Sequence, residues 1–254
     1  MMKVIINADD CGISAHVNAE IRRFIELGLI SSTTIMANMD DFDGACQLYK
    51  DYHEKISFGI HFNLTEGTPL TYSQQLLDKG FYVERDHTIQ FFGKNFDYRL
   101  VTKSMKDEIK RELEAQLMKL LDAGFKLTHF DSHQHVHFHR QLIPLFCKVA
   151  KKYEIVKFRR YSNLSISPFN KIKTQLWRAL VYLHNPQLQT TDYFCGVTSF
   201  LKLATGNALQ ENKTYEVMCH PGHGGKNYEE ENKTMEVRID ELIKDKKIEL
   251  ISYD

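Results

Sequence analysis

The stretch KVIINADDCGISAHVNAEIRRFIELG, residues 3–28, changes its hydrophobic period within a few residues. Its first six residues, KVIINA, are rich in Val and Ile and predict a short buried strand over residues 3–8. From Ser14 to Gly28 the apolar residues recur at helical spacing, with Ser14 as the N-cap, and they are Val17, Ile21, Phe24 and Ile25. The stretch therefore predicts a strand followed by an amphipathic helix.

The same unit recurs along the rest of the chain. Further strands are predicted over residues 31–38, 56–63, 126–131, 155–160, 190–194, 213–219 and 247–253, and further helices over 40–52, 104–124, 140–153, 168–184 and 229–245. The helix from Ser104 to Gly124 begins with a motif that resembles a capping box, Ser104 with Asp107. Its apolar stripe consists of Met105, Ile109, Leu113, Leu117, Leu120 and Leu121.

Alternating strands and helices indicate a parallel sheet covered by helices. Since no linker or break in composition interrupts the series, we expect a single domain over residues 1–254. The leading prediction is an α/β fold, a TIM-like (β/α) barrel that is irregular and has seven or eight strands. An open doubly wound sheet is the alternative, although no G-x-G-x-x-G motif follows the first strand.

Residues 64–102 interrupt the alternation with an insertion rich in aromatic residues. Its seven aromatics are Tyr72, Phe81, Tyr82, Phe91, Phe92, Phe96 and Tyr98. A loop of this length in a compact domain is usually functional or part of an interface. A hairpin packed on the body, a lid over a sugar groove and an interface in a homodimer all remain open.

Composition excludes several classes of protein. Lysine plus arginine and aspartate plus glutamate both number 33, so there is no basic excess of the kind that nucleic-acid binding requires. The five cysteines show no CxxC spacing, and we interpret them as reduced, packed thiols, with Cys11 and Cys219 flanking the polar residues described next. Two acids follow the first apolar residues, and no apolar run approaches membrane-spanning length. We therefore expect a cytoplasmic protein.

Polar residues gather where the predicted strands end. They are Asp9 and Asp10 after strand one, His61 in strand three, Asp131, His133 and His135 after strand four, Arg159 and Arg160 after strand five, and His220 and His223 before the last helix. The active sites of (β/α) barrels are built at the carboxyl ends of the strands. Although each residue alone has a structural explanation, five segments delivering acids and imidazoles to one rim favour an active site.

Five of the twelve histidines lie within THFDSHQHVHFHR, residues 128–140. The spacing of two between most of them also suits a polar strand face, so the row alone does not decide between structure and chemistry. His129 belongs to a predicted strand, and for that reason we discount it as a metal ligand.

A carboxylate with two imidazoles is a common ligand set for a divalent metal with open positions. Adjacent aspartates after a strand point in different directions, so one can bind metal while the other accepts a proton from metal-bound water. A histidine on the opposite side of the rim can protonate a leaving group. Together these parts indicate metal-assisted hydrolysis.

Four blocks, NADDCG (7–12), GIHFNLT (59–65), HFDSHQHVH (129–137) and HPG (220–222), resemble in sequence and order the YdjC-like (ChbG) carbohydrate deacetylase family. The resemblance implies a (β/α) barrel that removes N-acetyl groups from chito-oligosaccharides with a divalent metal. It implies Mg²⁺ as the metal, although two imidazoles suit Zn²⁺ or another transition metal equally.

Carried onto this chain, the resemblance makes Asp10, His61 and His133 the metal ligands and Asp9 the general base. It gives His220 the role of general acid, with His223 as the alternative. Asp131 and His135 would orient ligands or touch the substrate, and Arg159 joins this supporting group from its position at the rim.

Two other functions compete with sugar deacetylation. A metal-dependent phosphoesterase would need cations at the rim, where only Arg159 and Arg160 are available. A sugar- or metal-binding protein without catalysis would have no need for Asp9 beside a ligand.

Overall fold

The computed structural model describes residues 2–163, 168–206, 209–245 and 247–253. The strands are β1 (Met2–Cys11), β2 (Ser32–Ile35), β3 (Ser57–Phe62), β4 (Tyr82–Arg85), β5 (Thr88–Phe91), β6 (Phe130–Ser132), β7 (Tyr193–Gly196), β8 (Thr214–Cys219) and β9 (Ile248–Leu250). The helices are α1 (Ala15–Glu26), α2 (Phe42–Tyr52), α3 (Gln74–Asp78), α4 (Lys103–Asp122), α5 (Ile143–Lys152), α6 (Pro168–His184), α7 (Val197–Thr205), α8 (Lys226–Thr234) and α9 (Asp240–Lys244). A 3₁₀ turn covers Tyr98–Leu100, and a 3₁₀ segment with a kink at Gln134 and His135 covers His133–Phe138. A π-helical turn, Met235–Ile239, joins α8 to α9.

Seven parallel strands form one curled sheet around the core, in the order β6-β3-β2-β1-β8-β7, with β9 beside the first residues of β1. Between the edge strands β6 and β7 the ladder is reduced to single bridges, Phe130 with Phe158 and Lys157 with Gln189. The predicted irregular (β/α) barrel is therefore confirmed, rather than the open doubly wound sheet. All seven strands direct their carboxyl ends to the same rim.

The opening stretch folds as its pattern predicts. β1 lies between β2 and β8, and because both of its faces are covered, Val4, Ile6 and Ala8 are fully buried. The Ser14 hydroxyl caps α1 by accepting from the Val17 amide. The apolar stripe of α1 packs onto the sheet, and burying each such side chain contributes about 1.5–3 kcal/mol to the free energy of unfolding.

Some predicted boundaries are wrong. Strand five, expected over 155–160, consists only of the bridges at Lys157 and Phe158. This segment pairs with β6 and with residue 189 through isolated bridges and forms no continuous ladder with either. Helix α4 begins earlier than expected, since the Thr102 hydroxyl, and not Ser104, accepts from the Met105 amide. Leu121, expected in the buried stripe, is partly exposed.

The insertion has a small core of its own. β4 and β5 form an antiparallel hairpin. Five aromatics of the insertion are buried together, namely Phe81, Tyr82, Phe91, Phe96 and Tyr98. Tyr72 and Phe92 are exposed. Buried Glu112 of α4 accepts hydrogen bonds from the amides of Leu70 and Thr71, which fixes the insertion to the barrel. The insertion therefore contains a hairpin packed on the barrel.

The five cysteines are free thiols, and all but Cys46 are buried. Burial raises the pKa of Cys11 and Cys219, so neither thiol beside the site is activated. Within the described ranges, no helix is both long enough and apolar enough to cross a bilayer.

Candidate active site

The adjacent aspartates lie in a β-bulge near the end of β1, and not after the strand as expected. The register with β2 shifts between Ala8 and Cys11, so Asp9 and Asp10 together oppose one residue. Asp10 has a φ of 66°, in the left-handed region that few side chains other than Asn and Asp adopt. In a regular strand neighbouring side chains point to opposite faces. The bulge instead lets both carboxylates approach His61 inside the barrel, each with different partners.

Asp10, His61 and His133 converge at the rim. Asp10 Oδ1 lies 2.7 Å from His133 Nδ1 and 3.1 Å from His61 Nε2, and all three side chains are buried. One donor atom from each lies within 4.8 Å of the other two, close enough for one cation to contact all three. One carboxylate oxygen and two imidazole nitrogens suit a divalent transition metal. The structure thus brings the three predicted ligands together.

Each imidazole also faces a carboxylate with its second nitrogen. His61 Nδ1 lies 2.6 Å from Asp131 Oδ1, and His133 Nε2 lies 3.1 Å from Glu66 Oε1. Histidines that bind metal usually have such a partner, which fixes the ring and its tautomer. This second set of contacts is independent support for the fit of a metal, and it places Asp131 against His61, where it can orient a ligand as the resemblance implies.

The charges of this cluster shift its pKa values. Burial would raise the pKa of Asp10, but hydrogen bonds from His133, His223 and His61 hold it well below its usual range. Burial opposes protonation of His61 and His133, yet the Asp131 charge raises the pKa of His61 to about 10, and the Asp10 hydrogen bond raises that of His133 to about 9. Without a cation the imidazoles hold protons in place of a metal, and metal binding would release them.

Asp9 is held by Arg159. Arg159 Nη1 and Nη2 donate to the two Asp9 oxygens at 2.6 and 2.7 Å, while Nη1 lies 2.7 Å from Asp131 Oδ2 and Nε donates to Glu216 Oε1 at 2.6 Å. Burial would raise the pKa of Asp9, but the Arg159 charge outweighs it and the pKa lies below the usual range. Arg159 is fully buried. It therefore supports Asp9 from behind, and of its two predicted roles only the supporting one fits.

The polar network continues below the rim. The second oxygen of Glu216 accepts from the Tyr253 hydroxyl at 2.6 Å, and burial raises the pKa of Glu216. The Tyr253 ring stacks on His129 with centroids 3.9 Å apart. His129 is thus a buried ring inside the barrel, and it belongs to neither group of candidate metal ligands among the described residues.

The histidine row is not one strand face, because β6 ends at Ser132 and a 3₁₀ turn follows. Gln134 and His135 have φ values of 53° and 55°, which turn their side chains away from the strand direction. His137 bonds to the Ser132 hydroxyl and to the Arg159 carbonyl, so it secures the turn. His139 is exposed and packs against Tyr98.

The residues after β8 close the other side of the site. The His220 amide donates to Glu231 Oε1 at 2.7 Å, and His220 Nδ1 lies 3.2 Å from the same oxygen. Burial would lower the pKa of His220, but Glu231 and the charges of Asp9 and Asp10 raise it. His223 Nε2 instead lies 3.1 Å from Asp10 Oδ2. Of the two histidines, His223 holds the proposed ligand and His220 is oriented by a carboxylate.

A pocket of about 720 Å³ lies next to the turn that follows His133, and none of Asp10, His61 and His133 lines it. Its wall includes His135, Phe138, Tyr161, Trp177, Phe194 and Met218. His135 Nδ1 is buried without a hydrogen-bond partner among the described residues, and burial lowers the pKa of His135 to about 3, so the ring is neutral. Arg160 takes no part in the cluster, because its guanidinium donates to the carbonyls of Thr191 and Asp192.

The sequence reasoning missed three carboxylates, Glu66, Glu216 and Glu231. Glu66 directly follows the block GIHFNLT, and Glu216 interrupts the apolar strand β8, so both carried a local signal. Glu231 lies in the charged helix α8, where nothing in the sequence separates it from its neighbours.

Comparison with known proteins places these residues in a family. A model of the YdjC-like protein family matches residues 3–247. A carbohydrate deacetylase of Brevibacillus brevis is 31% identical over 99% of this chain and 98% of its own length. A carbohydrate deacetylase of Listeria monocytogenes is 33% identical over 95% of this chain and 90% of its own length.

Solved structures support the fold. A protein from Enterococcus faecalis, described as a candidate cellobiose-phosphate cleavage protein, aligns with a TM-score of 0.75 at 22% identity over 99% of this chain and 97% of its own. A Streptococcus mutans CE4 esterase aligns with a TM-score of 0.51 at 14% identity, over 99% of this chain and 85% of its own. At these identities the likeness concerns the fold alone.

Proposed function

The chain belongs to the YdjC-like protein family, and we propose that it is a carbohydrate deacetylase that hydrolyses the acetamide of an N-acetylated sugar, a chito-oligosaccharide, with a divalent metal at Asp10, His61 and His133. Carbohydrate deacetylation follows from the family and from relatives of that name. The metal, the substrate and the residue roles are additions that rest on the site.

One observation carries these additions. The three donor atoms of Asp10, His61 and His133 meet at the barrel rim, and both imidazoles have a carboxylate behind them. A bound divalent cation would supply Lewis-acid polarisation of the acyl carbonyl and acidification of water. Two nitrogen donors favour Zn²⁺, Co²⁺ or Ni²⁺ over Mg²⁺, which prefers oxygen, so the Mg²⁺ implied by the resemblance is the weaker choice.

Asp9 takes the role of general base. Its low pKa makes it a weak base but keeps it ionised at working pH, and Arg159 holds both oxygens in a fixed orientation. His220 takes the role of general acid. Its raised pKa favours the protonated ring, and with Nδ1 on Glu231 it has Nε2 left to donate to the leaving amine.

The pocket beside His135 supports a sugar substrate. Its volume of about 720 Å³ and its mixture of aromatic and polar walls suit a short oligosaccharide. A phosphoesterase is not favoured, because Arg159 is enclosed by carboxylates and Arg160 is bound to carbonyls. A cytoplasmic location and a homodimer remain expectations.

Acetate release from N-acetylated chito-oligosaccharides tests the proposal. We expect activity with a divalent metal, loss after chelation, and recovery when Zn²⁺, Co²⁺ or Mg²⁺ is restored. Absence of acetate release with every metal would contradict the deacetylase proposal for this class of sugar.

The variants Asp9→Asn and Asp10→Asn separate the two aspartates. Asp10→Asn should weaken metal binding in calorimetry, and excess metal should restore part of its rate. Asp9→Asn should bind metal nearly normally, yet lose about 10²–10⁴-fold in rate without rescue, because a positioned base contributes that much. The opposite pattern of metal affinities would reverse the two roles.

A further inference from the structure

The insertion, residues 64–102, reaches the proposed metal centre through one side chain, Glu66. Glu66 Oε1 lies 3.1 Å from His133 Nε2, on the side of the ring opposite Asp10. Nε2 is buried and has no aligned hydrogen bond within the described part of the chain. Once Nδ1 of His133 binds a cation, its buried Nε2–H needs an acceptor, and the Glu66 carboxylate lies within reach of it.

A buried network fixes the backbone of Glu66. Asn63 Oδ1 accepts from the Thr65 and Glu66 amides at 3.0 and 3.1 Å, while Asn63 Nδ2 donates to the Glu66 carbonyl at 2.7 Å. Asn38 Nδ2 donates to the same carbonyl at 3.1 Å. Gln116 of α4 in turn bonds both the amide and the carbonyl of Asn63.

The next residue adds a constraint. Gly67 has a φ of 70°, a left-handed conformation that favours glycine, so the turn directly after Glu66 has a defined backbone. Asn38 after β2, Asn63 after β3 and Gln116 of α4 thus converge on a turn whose only ionisable side chain is directed at His133. A surface loop does not need so many fixing contacts, whereas a residue that must be held in one position at a site does.

We propose that Glu66 is a positioning residue of the metal centre, which holds His133 as Asp131 holds His61. The proposal rests on the proposed metal centre and adds a role for the insertion. Both ligating imidazoles then have a carboxylate partner, one from the barrel strand β6 and the other from the turn that begins the insertion. Two carboxylates behind the rings also compensate the charge of a divalent cation in a buried site.

The test is titration of the metal-free full chain with Zn²⁺ by calorimetry and with Co²⁺ by visible absorption. Glu66→Gln keeps the size of the side chain and removes its charge, and we expect Zn²⁺ affinity to fall about 10- to 100-fold. At saturating Co²⁺ the ligand-field bands should shift, because His133 is less basic and freer to rotate. Glu84→Gln, an exposed glutamate of the same insertion, is the matched control and should match the wild type.

Thermal unfolding of the metal-free variants separates positioning from folding. We expect Glu66→Gln and wild type to unfold at similar temperatures without metal and to diverge only when Zn²⁺ is present. If the wild type binds the ions and Glu66→Gln binds them with the same affinity and spectrum, the role of Glu66 is overturned and the metal centre stands. Failure of the wild type to bind either ion would overturn the metal centre and Glu66 with it.

Discussion

Arg159 lies among three buried carboxylates, and its replacement by methionine tests this network. It lies 2.6–2.7 Å from Asp9, Asp131 and Glu216, and it is fully buried with all three. Removing one partner of a buried ion pair costs about 3–5 kcal/mol. Because three carboxylates lose the guanidinium that they share, we expect Arg159→Met to lower the free energy of unfolding by about 5 kcal/mol at neutral pH, a large part of the total for most domains.

The loss should depend on pH. Without Arg159, at least one carboxyl must take up a proton in the folded state, so its folded-state pKa rises above its unfolded value near 4. The stability that protonation provides is present at low pH and is lost as pH rises through the folded-state pKa, at about 1.4 kcal/mol per pH unit. Destabilisation by Arg159→Met should therefore be up to about 4 kcal/mol greater at pH 8 than at pH 5.

Urea unfolding monitored by circular dichroism at the two pH values measures both effects. Arg22→Met, which removes a half-exposed ion pair with Asp51, is the control and should cost less than about 1 kcal/mol at either pH. An Arg159→Met variant destabilised no more than the control, or equally at pH 5 and pH 8, would refute the network as described.

Two further predictions follow from other residues. Glu231→Gln should lower the rate of acetate release about 10-fold or more. It should also move the alkaline limb of the pH profile to lower pH, because Glu231 helps to raise the pKa of His220. An unchanged profile would show that Glu231 has no role in the reaction. Burial lowers the pKa of His129, His135 and His137, so below about pH 6.5 the unfolded chain binds more protons than the folded one. The free energy of unfolding should therefore decrease as the pH is lowered, by up to about 1.4 kcal/mol per pH unit for each histidine. Urea unfolding of the metal-free protein at pH 7 and pH 5 measures this slope, and equal stability at both would contradict it.

The sequence predicted the barrel because hydrophobic period and capping are local properties. The Val- and Ile-rich start of β1 and the stripe of α1 specify those elements without help from the rest of the chain. The prediction of strand five was wrong because pairing is not a local property. Whether residues 155–160 form a ladder depends on how closely β6 and residue 189 approach them.

The site divides in the same way. That Asp10, His61 and His133 lie near each other could be predicted because each follows or ends a strand on one rim. Their choice as ligands from the larger set of polar residues at that rim came from the family resemblance. The bulge that turns Asp10 inward could not be predicted, because register is set by pairing between strands. Glu231 could not either, since its bond to His220 depends on where α8 lies after the turn at residues 220–225.

The central claim is that one divalent cation binds between Asp10, His61 and His133. The most direct measurement is a crystal structure of the protein grown with Zn²⁺ or Mn²⁺, with anomalous diffraction recorded at the metal edge. We expect one strong peak within about 2.0–2.3 Å of a carboxylate oxygen of Asp10 and of one imidazole nitrogen from each of His61 and His133. A peak at other residues, or no peak at this rim in crystals that contain the ion, would contradict it.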